Sequence, residues 1–499
     1  MKAVFLLLAS LSVFPSCFGA GHWIAVVAPG LEEAVVPLAE YRRGEGWQTT
    51  VLTADADIPA TSKRIATIAE EGRVCCLVLV GDFGAPGVPA GKGKQGRMTG
   101  EPTDLPWSRG LDGRRVETGR LPARNLEEAT VMVRKILDWS TQLPTQPAFP
   151  TVNLLVGHHG APDPFAGVAD NLIHTLTRRL LSNLPPEWQL DAAIHVEGSP
   201  WQVSGSDVDA TAALMMRSPA TLFAYMGHSD PTVAVSKSNR VLDAGDWRAL
   251  PVHGPRPGLF LTCGCFSCQV NPDRESLGLA AIRAPGGPPA VIGSHGESAA
   301  ALGYLAVSGL TISLGHGPRR VGELWQSVLK GIESAPISAS EFAMLDMADG
   351  SQGKVPLDQQ RAEHLEMWML LGDPAMTVVP PPPPLAVTAR ASEESIVAVS
   401  GQLPEASQGM ILRITLERHP SVIPPDLPAI PPSGPERQAA ARERRRLAND
   451  VVFASTEVVA SGLAFSVSLP LPNPPPAKPW TVRVMVKGSS SLAGVTSVR

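Results

Sequence analysis

A histidine and a cysteine, each at the tip of an apolar run, are the residues of this chain best placed to do chemistry. The first run is Thr221-Leu222-Phe223-Ala224-Tyr225-Met226, followed by Gly227-His228-Ser229-Asp230. The second is Pro257-Gly258-Leu259-Phe260-Leu261-Thr262, followed by Cys263-Gly264-Cys265-Phe266-Ser267-Cys268. Cysteine attacks as its thiolate, so it needs an adjacent base and exposure. Histidine is the usual base, because imidazole titrates near working pH. His228 and Cys265 stand 37 positions apart (265 − 228). That is room for one strand–connection–strand excursion, which would make the runs neighbours with both tips on one edge. Gly227 and Gly264 leave space for a substrate backbone, and N–H groups after the cysteine and near the histidine would form an oxyanion hole. With Ser229, Phe266 and Ser294 they make up the candidate oxyanion and substrate-binding positions. Cys263 is the alternative nucleophile.

The elements that must hold these tips follow from periodicity. Trp23–Ala28, Thr49–Leu52, Val74–Val80, Val152–Val156 and Pro289–Ile292 are short apolar runs. They alternate with stretches of helical spacing at 31–43, 61–71, 126–139, 171–184, 208–217 and 276–284, and further helices are expected at 321–332 and 338–347. Asn125 caps one of these helices, with Glu127 and Glu128 in its first turn. This alternation predicts an α/β fold, a parallel sheet flanked by helices in three layers. Strands buried on both faces are expected to be apolar throughout, as these are. Functional groups of such sheets gather beyond the carboxyl ends of the strands, which places Asp82 near that edge, or else in a turn or helix cap. The prolines 380–384 form a stiff spacer and a domain boundary. Beyond them six runs with turn signals between predict a β-sandwich over 385–499, interrupted by a Pro- and Arg-rich insert at 420–449 whose second half, 436–447, reads as a solvated helix. The expected divisions are therefore 1–20, 21–150, 151–379, 380–384 and 385–499.

A chain of 499 residues with a formal charge of −5 leaves no basic footprint for a nucleic-acid partner. Lys2, the apolar run Ala3–Phe14 and the small residues Ser16, Gly19 and Ala20 form a secretory signal segment, too short to span a bilayer comfortably. Lipidation at Cys17 fits poorly after Phe14 and Pro15. No second run of spanning length follows, so the mature chain is expected outside the cytoplasm, secreted or at the cell envelope, without a transmembrane segment. If Cys17 leaves with the signal, five cysteines remain, Cys75, Cys76, Cys263, Cys265 and Cys268. They are odd in number and bunched, unlike a disulfide framework.

The ordered set of motifs resembles the caspase–gingipain clan of cysteine peptidases, and the gingipain family within it. It comprises Val78–Asp82, Thr103-Asp104-Leu105, Leu111-Asp112-Gly113, Gly119-Arg120-Leu121-Pro122, Tyr225-Met226-Gly227-His228, Leu259-Phe260-Leu261 with Cys265, Ser276-Leu277 with Gly287–Gly293, and Leu371-Gly372-Asp373-Pro374. The resemblance spans roughly 23–379. It implies a caspase-like fold with an immunoglobulin-like domain after it, His228 as general base, Cys265 as nucleophile and a protein or peptide substrate. It implies no organic cofactor; calcium sites occur in the family, but no ligand set here is distinctive. In the family an acidic residue after the Val152–Val156 strand orients the histidine. Here that place reads Gly157-His158-His159-Gly160, and Asp163 is the nearest acid. The chain departs from the pattern at Ser229 and Cys268, where the family usually has glycine. It has no counterpart of the acidic pocket residue that selects basic side chains.

Two other readings stand beside this one. Cys263, Cys265 and Cys268 with His228 or His295 would be a zinc cluster, though the C-x-C-x₂-C spacing is uncommon and no second pair supports it. A non-catalytic surface or secretion protein would keep the fold and lose the chemistry at Ser229 and Cys268. His295 is a second candidate base, but it follows the cysteine in the chain. His158 and His159 are read as loop residues rather than ligands.

Overall fold

A computed structural model describes residues 21–498 except 55–57, 72–73, 109–114, 144–148, 161–165, 272, 393–394, 408, 432 and 490–491. The stretch 1–20 expected to be a signal segment, with Cys17, and Leu111-Asp112-Gly113 and Asp163 lie outside the described residues. No helix among those described is long and apolar enough to cross a membrane.

The strands up to residue 371 are β1 (His22–Val27), β2 (Gln48–Thr53), β3 (Val74–Val80), the two-residue pair β4 (Gly91–Lys92) and β5 (Pro102–Thr103), β6 (Glu117–Leu121), β7 (Thr151–Val156), β8 (Gln189–Ile194), β9 (Leu222–Met226), the ribbon β10 (His228–Asp230), β11 (Val233–Ser236) and β12 (Asn239–Asp243), then β13 (Leu259–Thr262), β14 (Val291–Ser294) and β15 (Trp368–Leu371). Ten of them form one sheet in the order β2-β1-β3-β6-β15-β14-β13-β9-β7-β8. Every neighbour pair is parallel except β14 with β15. The central strands, such as Leu259–Thr262, are buried at every position, because helices cover both faces.

The antiparallel β14–β15 junction divides the sheet into two halves that point in opposite directions. Leu371 pairs with Arg120 on one side and with Val291 at the start of β14 on the other. The carboxyl ends of β1, β3 and β6 therefore lie on the opposite edge from those of β9 and β13. This corrects the expected place of Asp82. It follows β3 on the far edge, where its Oδ1 accepts from Arg283 at 3.0 Å.

Within the second half the chain runs outward from β7 to β8, then returns to the other side of β7 for β9, β13 and β14. This reversal makes β7/β9 a topological switch point, where loops diverge and leave a crevice beyond the carboxyl ends. The loop Gly157–Gly160 and the tip Gly227-His228 both open there.

The helix Ala300–Leu314 is absent from the sequence-based expectation. Eleven of its residues are buried, and the exposed side chain, Ile312, is itself apolar. A helix that is apolar all round shows no amphipathic period.

The C-terminal region forms two antiparallel sheets around a separate core that includes Val397, Leu412, Val482 and Val484. One sheet is β16 (Val387–Ala391), β17 (Ile396–Gln402) and β20 (Ala464–Pro470). The other is β19 (Val452–Val459), β18 (Ile411–Arg418), β21 (Trp480–Val486) and β22 (Ala493–Ser497). The helix Glu436–Asn449 corrects the reading of a solvated segment, because it is docked on the large sheet. Arg442 binds Asp207 through two bonds of 2.8 and 2.7 Å, and Arg445 reaches Asp191 at 2.9 Å. The Asn449 side chain accepts from Ala192 N and donates to Ala192 O, both at 2.9 Å. It thus satisfies backbone groups on β8, an edge strand that would otherwise offer a template for strand addition.

Candidate active site

Register sets the two strand tips level. Tyr225 of β9 pairs with Thr262 of β13, so His228 and Cys265 each lie three residues past the last paired position. Cys263 N–H donates to the Tyr225 carbonyl at 2.9 Å, extending the pairing by one step. The Tyr225 hydroxyl lies 2.8 Å from the carbonyls of His228 and Val235, fixing the start of the β10–β11 ribbon. A Cβ on Gly227 would stand 2.6 Å from that hydroxyl, so this position takes only glycine without displacing it.

The loop that carries Cys265 is held from both sides. Ser229 Oγ donates to the Cys265 carbonyl at 2.6 Å. Gly264 lies against the same hydroxyl, and a Cβ there would come within 2.2 Å of it. Phe266 takes the left-handed conformation at φ 55°, a strained state that persists where surroundings enforce it. Here its N–H donates to the Gly296 carbonyl at 2.8 Å.

The three clustered thiols point to different surroundings. Cys265 is half-buried, and its Sγ lies 3.5 Å from the Ser298 carbonyl. Burial, helped by the nearby Asp349 carboxylate, pushes its thiol up to about 11. Cys268 is fully buried beneath Gly278 and Gly293, where added Cβ atoms would stand 2.4 and 2.6 Å from its sulfur. Cys263 packs toward Gly303 on the helix Ala300–Leu314. Burial pushes both of these thiols up to about 12. Among the described residues the three sulfurs do not converge on one metal-binding point.

His228 is held through one ring nitrogen. Nε2 lies 3.1 Å from the His159 carbonyl. A carbonyl only accepts, so Nε2 carries the proton and neutral His228 keeps its lone pair on Nδ1. Nδ1 lies 3.6 Å from Asp349 Oδ2. Burial raises the Asp349 carboxyl, while His228 pulls it down. Asp349 ends the helix Ala339–Asp349, which a Ser338–Glu341 capping box opens. The following turn is fastened by Asp346, which accepts from Ser351 N at 2.7 Å, Gly353 N at 2.6 Å and Gln360 at 2.7 Å. Sequence reasoning missed Asp349. Its only local mark is the Gly350-Ser351-Gln352-Gly353 turn after it, which says nothing of a histidine 121 positions away (349 − 228).

The remaining candidates hold structure. Ser294 is buried, and its Oγ donates to the Gly296 carbonyl at 2.9 Å. His295 is buried too; Nδ1 accepts from Val270 N at 3.0 Å and Nε2 lies 3.3 Å from Glu101, so its nitrogens are engaged away from Cys265. His364 Nε2 accepts from Ala299 N at 2.9 Å, anchoring the segment whose Ser298 carbonyl faces Cys265. The motifs far from the tips are braces. Arg120 forks onto Asp104 at 2.8 and 2.6 Å, and the buried Asp373 holds Arg42 at 2.8 and 2.7 Å and Trp23 at 3.1 Å.

Comparison with known proteins agrees with this architecture. The sequence pattern of peptidase family C25 matches residues 19–379. A search of curated protein sequences gives no match. Among solved structures, one described as a protease is similar with a TM-score of 0.56 at 16% identity, over 96% of this chain and 97% of the other. The complex of the pro- and mature domains of RgpB, a gingipain of Porphyromonas gingivalis, is similar with a TM-score of 0.52 at 14% identity, over 96% of this chain and 100% of that one. At such identities these structures speak for the fold, and the sequence match supplies the kinship. The chain belongs to peptidase family C25, a family of cysteine peptidases.

Proposed function

We propose that this chain is an exported cysteine endopeptidase in which Cys265 is the nucleophile and His228 the general base. The observation that carries the reading is the level pair of strand tips, with the His159 carbonyl fixing the histidine tautomer. With the thiol raised to about 11, the sulfur rests as the neutral thiol rather than the thiolate. A substrate carbonyl then enters beside Gly264, and the thiol proton passes to Nδ1 as sulfur attacks the carbonyl carbon. The Cys265 N–H is the natural donor to the oxyanion. The imidazolium, facing the Asp349 carboxylate, returns its proton to the leaving amine. Water then hydrolyses the thioester, with His228 again as base. Asp349 takes the place in this scheme that the family resemblance gave to Asp163. The signal-like N-terminus supports export.

Hydrolysis of a mixed peptide library by the purified chain, followed by mass spectrometry, tests this. Cys265→Ala and His228→Ala should each remove cleavage while Cys263→Ala retains it. Cleavage surviving in Cys265→Ala would refute the assignment. A second reading, a peptidase fold without turnover, is favoured by the half-buried, strongly protonated thiol; wild-type protein that cleaves no library member would support it.

A further inference from the structure

The loop at the switch point carries two adjacent histidines that the peptidase chemistry uses only through one carbonyl. The rings of His158 and His159 stack, with centroids 4.2 Å apart. His159 Nε2 lies 2.8 Å from Asp170 Oδ1, and Asp170 comes from the helix Ala166–Ser182. One nitrogen from each ring and one oxygen of Asp170 lie within 4.8 Å of one another. His158 is buried, and the His159 and Asp170 side chains are only 8% and 19% exposed. We infer that His158, His159 and Asp170 form a site for a zinc-class divalent cation, with three protein ligands and one position open.

Two imidazoles and a carboxylate are the donor set that borderline transition ions take, and three such ligands leave a fourth position for water or another ligand. With metal–ligand bonds of about 2.0–2.1 Å, the donors of a tetrahedral site lie roughly 3.4 Å apart. The separations here, from 2.8 Å for the His159–Asp170 contact up to 4.8 Å, bracket that spacing. Small side-chain rotations would close the set. Without the ion, the loop's own hydrogen bonds hold the rings near position. Gly160 N–H donates to His158 Nδ1 at 2.9 Å, and His158 N–H donates to Ser236 Oγ at 2.7 Å. The cation takes the place of the proton between His159 Nε2 and Asp170 Oδ1, and the imidazole keeps its one N–H on Nδ1. His159 also accepts from His228 through its carbonyl. An ion on its ring therefore stiffens the anchor of the catalytic histidine without touching the thiol.

The test uses the full chain, stripped with a chelator and titrated with Zn²⁺ by calorimetry and with Co²⁺ by absorption spectroscopy. One equivalent should bind to the wild type and equally to Cys265→Ala. The cobalt complex should show four-coordinate bands without thiolate-to-cobalt charge transfer. Asp170→Asn and His158→Ala should each weaken binding by at least the loss seen for an outer-shell partner, about 10–100-fold. Circular dichroism checks that both variants fold; should either fail, the wild-type cobalt spectrum decides alone. Zinc should also slow amide exchange at residues 157–160 in the wild type and not in Asp170→Asn. The assignment is overturned by absence of stoichiometric binding, by full affinity in both folded variants, or by a thiolate band, which would move the ion to the cysteines.

Discussion

Ser229 and Gly264 share one small volume between the two strand tips, and each is intelligible only through the other. The Ser229 hydroxyl holds the Cys265 carbonyl, and the missing Cβ of Gly264 gives it room. Gly264→Ala should therefore lose most peptidase activity, while Ser229→Gly with Gly264→Ala regains a part of it. Steady-state kinetics on the two variants measure this; no recovery in the double variant would mean that Gly264 matters for substrate clearance alone. At Asp349, neutralisation should have opposite effects on two readouts. Its negative charge helps raise the Cys265 thiol, so Asp349→Asn lowers that pKa and speeds iodoacetamide labelling at any pH below about 11. The same change leaves the imidazolium without its partner and lowers kcat. The level strand tips that carry His228 and Cys265 were legible in sequence because each apolar run ends on a reactive side chain beside glycine. Asp349 was not, because only tertiary packing brings the end of a distant helix to the ring.

At the scale of elements, the buried braces set stability and its pH dependence. Burial depresses His364 to about 4, below the unfolded value near 6.5. The unfolded chain thus binds the extra proton first as pH falls. The stability from neutral His364 is complete above pH 6.5 and is lost progressively down to about pH 4, a change of roughly 3 kcal/mol at most. Urea unfolding between pH 7 and 4 should show this slope, and His364→Gln should flatten it. Breaking the buried Arg42–Asp373 pair from one side, by Asp373→Ala, should cost about 3–5 kcal/mol, read from the same titrations. The alternation of strands and helices was legible from periodicity. Other features were not, among them the β10–β12 ribbon. The Ala300–Leu314 helix lacks a polar face to give it a period, and the reversal at β14–β15 leaves no local trace, because an apolar strand reads alike in either direction.

Over the whole molecule, the C-terminal sandwich is clamped to the α/β sheet. Arg483 donates to the carbonyls of Pro186, Glu187 and Trp188 at 2.6, 3.0 and 3.0 Å, and Asn449 closes the β8 edge. Removing that amide leaves the Ala192 N–H unsatisfied, while its carbonyl keeps the Arg445 Nε donor at 3.0 Å. Asn449→Ala should cost about 1–3 kcal/mol and make self-association concentration-dependent, as light scattering would detect. A variant as stable and as monomeric as the wild type would show that the edge needs no cover. Composition suggested a solvated arginine-rich helix because the partners, Asp191 and Asp207, lie more than 200 positions earlier in the chain.

The measurement closest to the central claim is peptide mapping after exposure of the native full chain to a peptidyl acyloxymethyl ketone, which needs both a nucleophile and its base. The account predicts a single thioether on Cys265, absent in His228→Ala although that variant remains folded. Equal labelling in His228→Ala, or an adduct on Cys263, would contradict it.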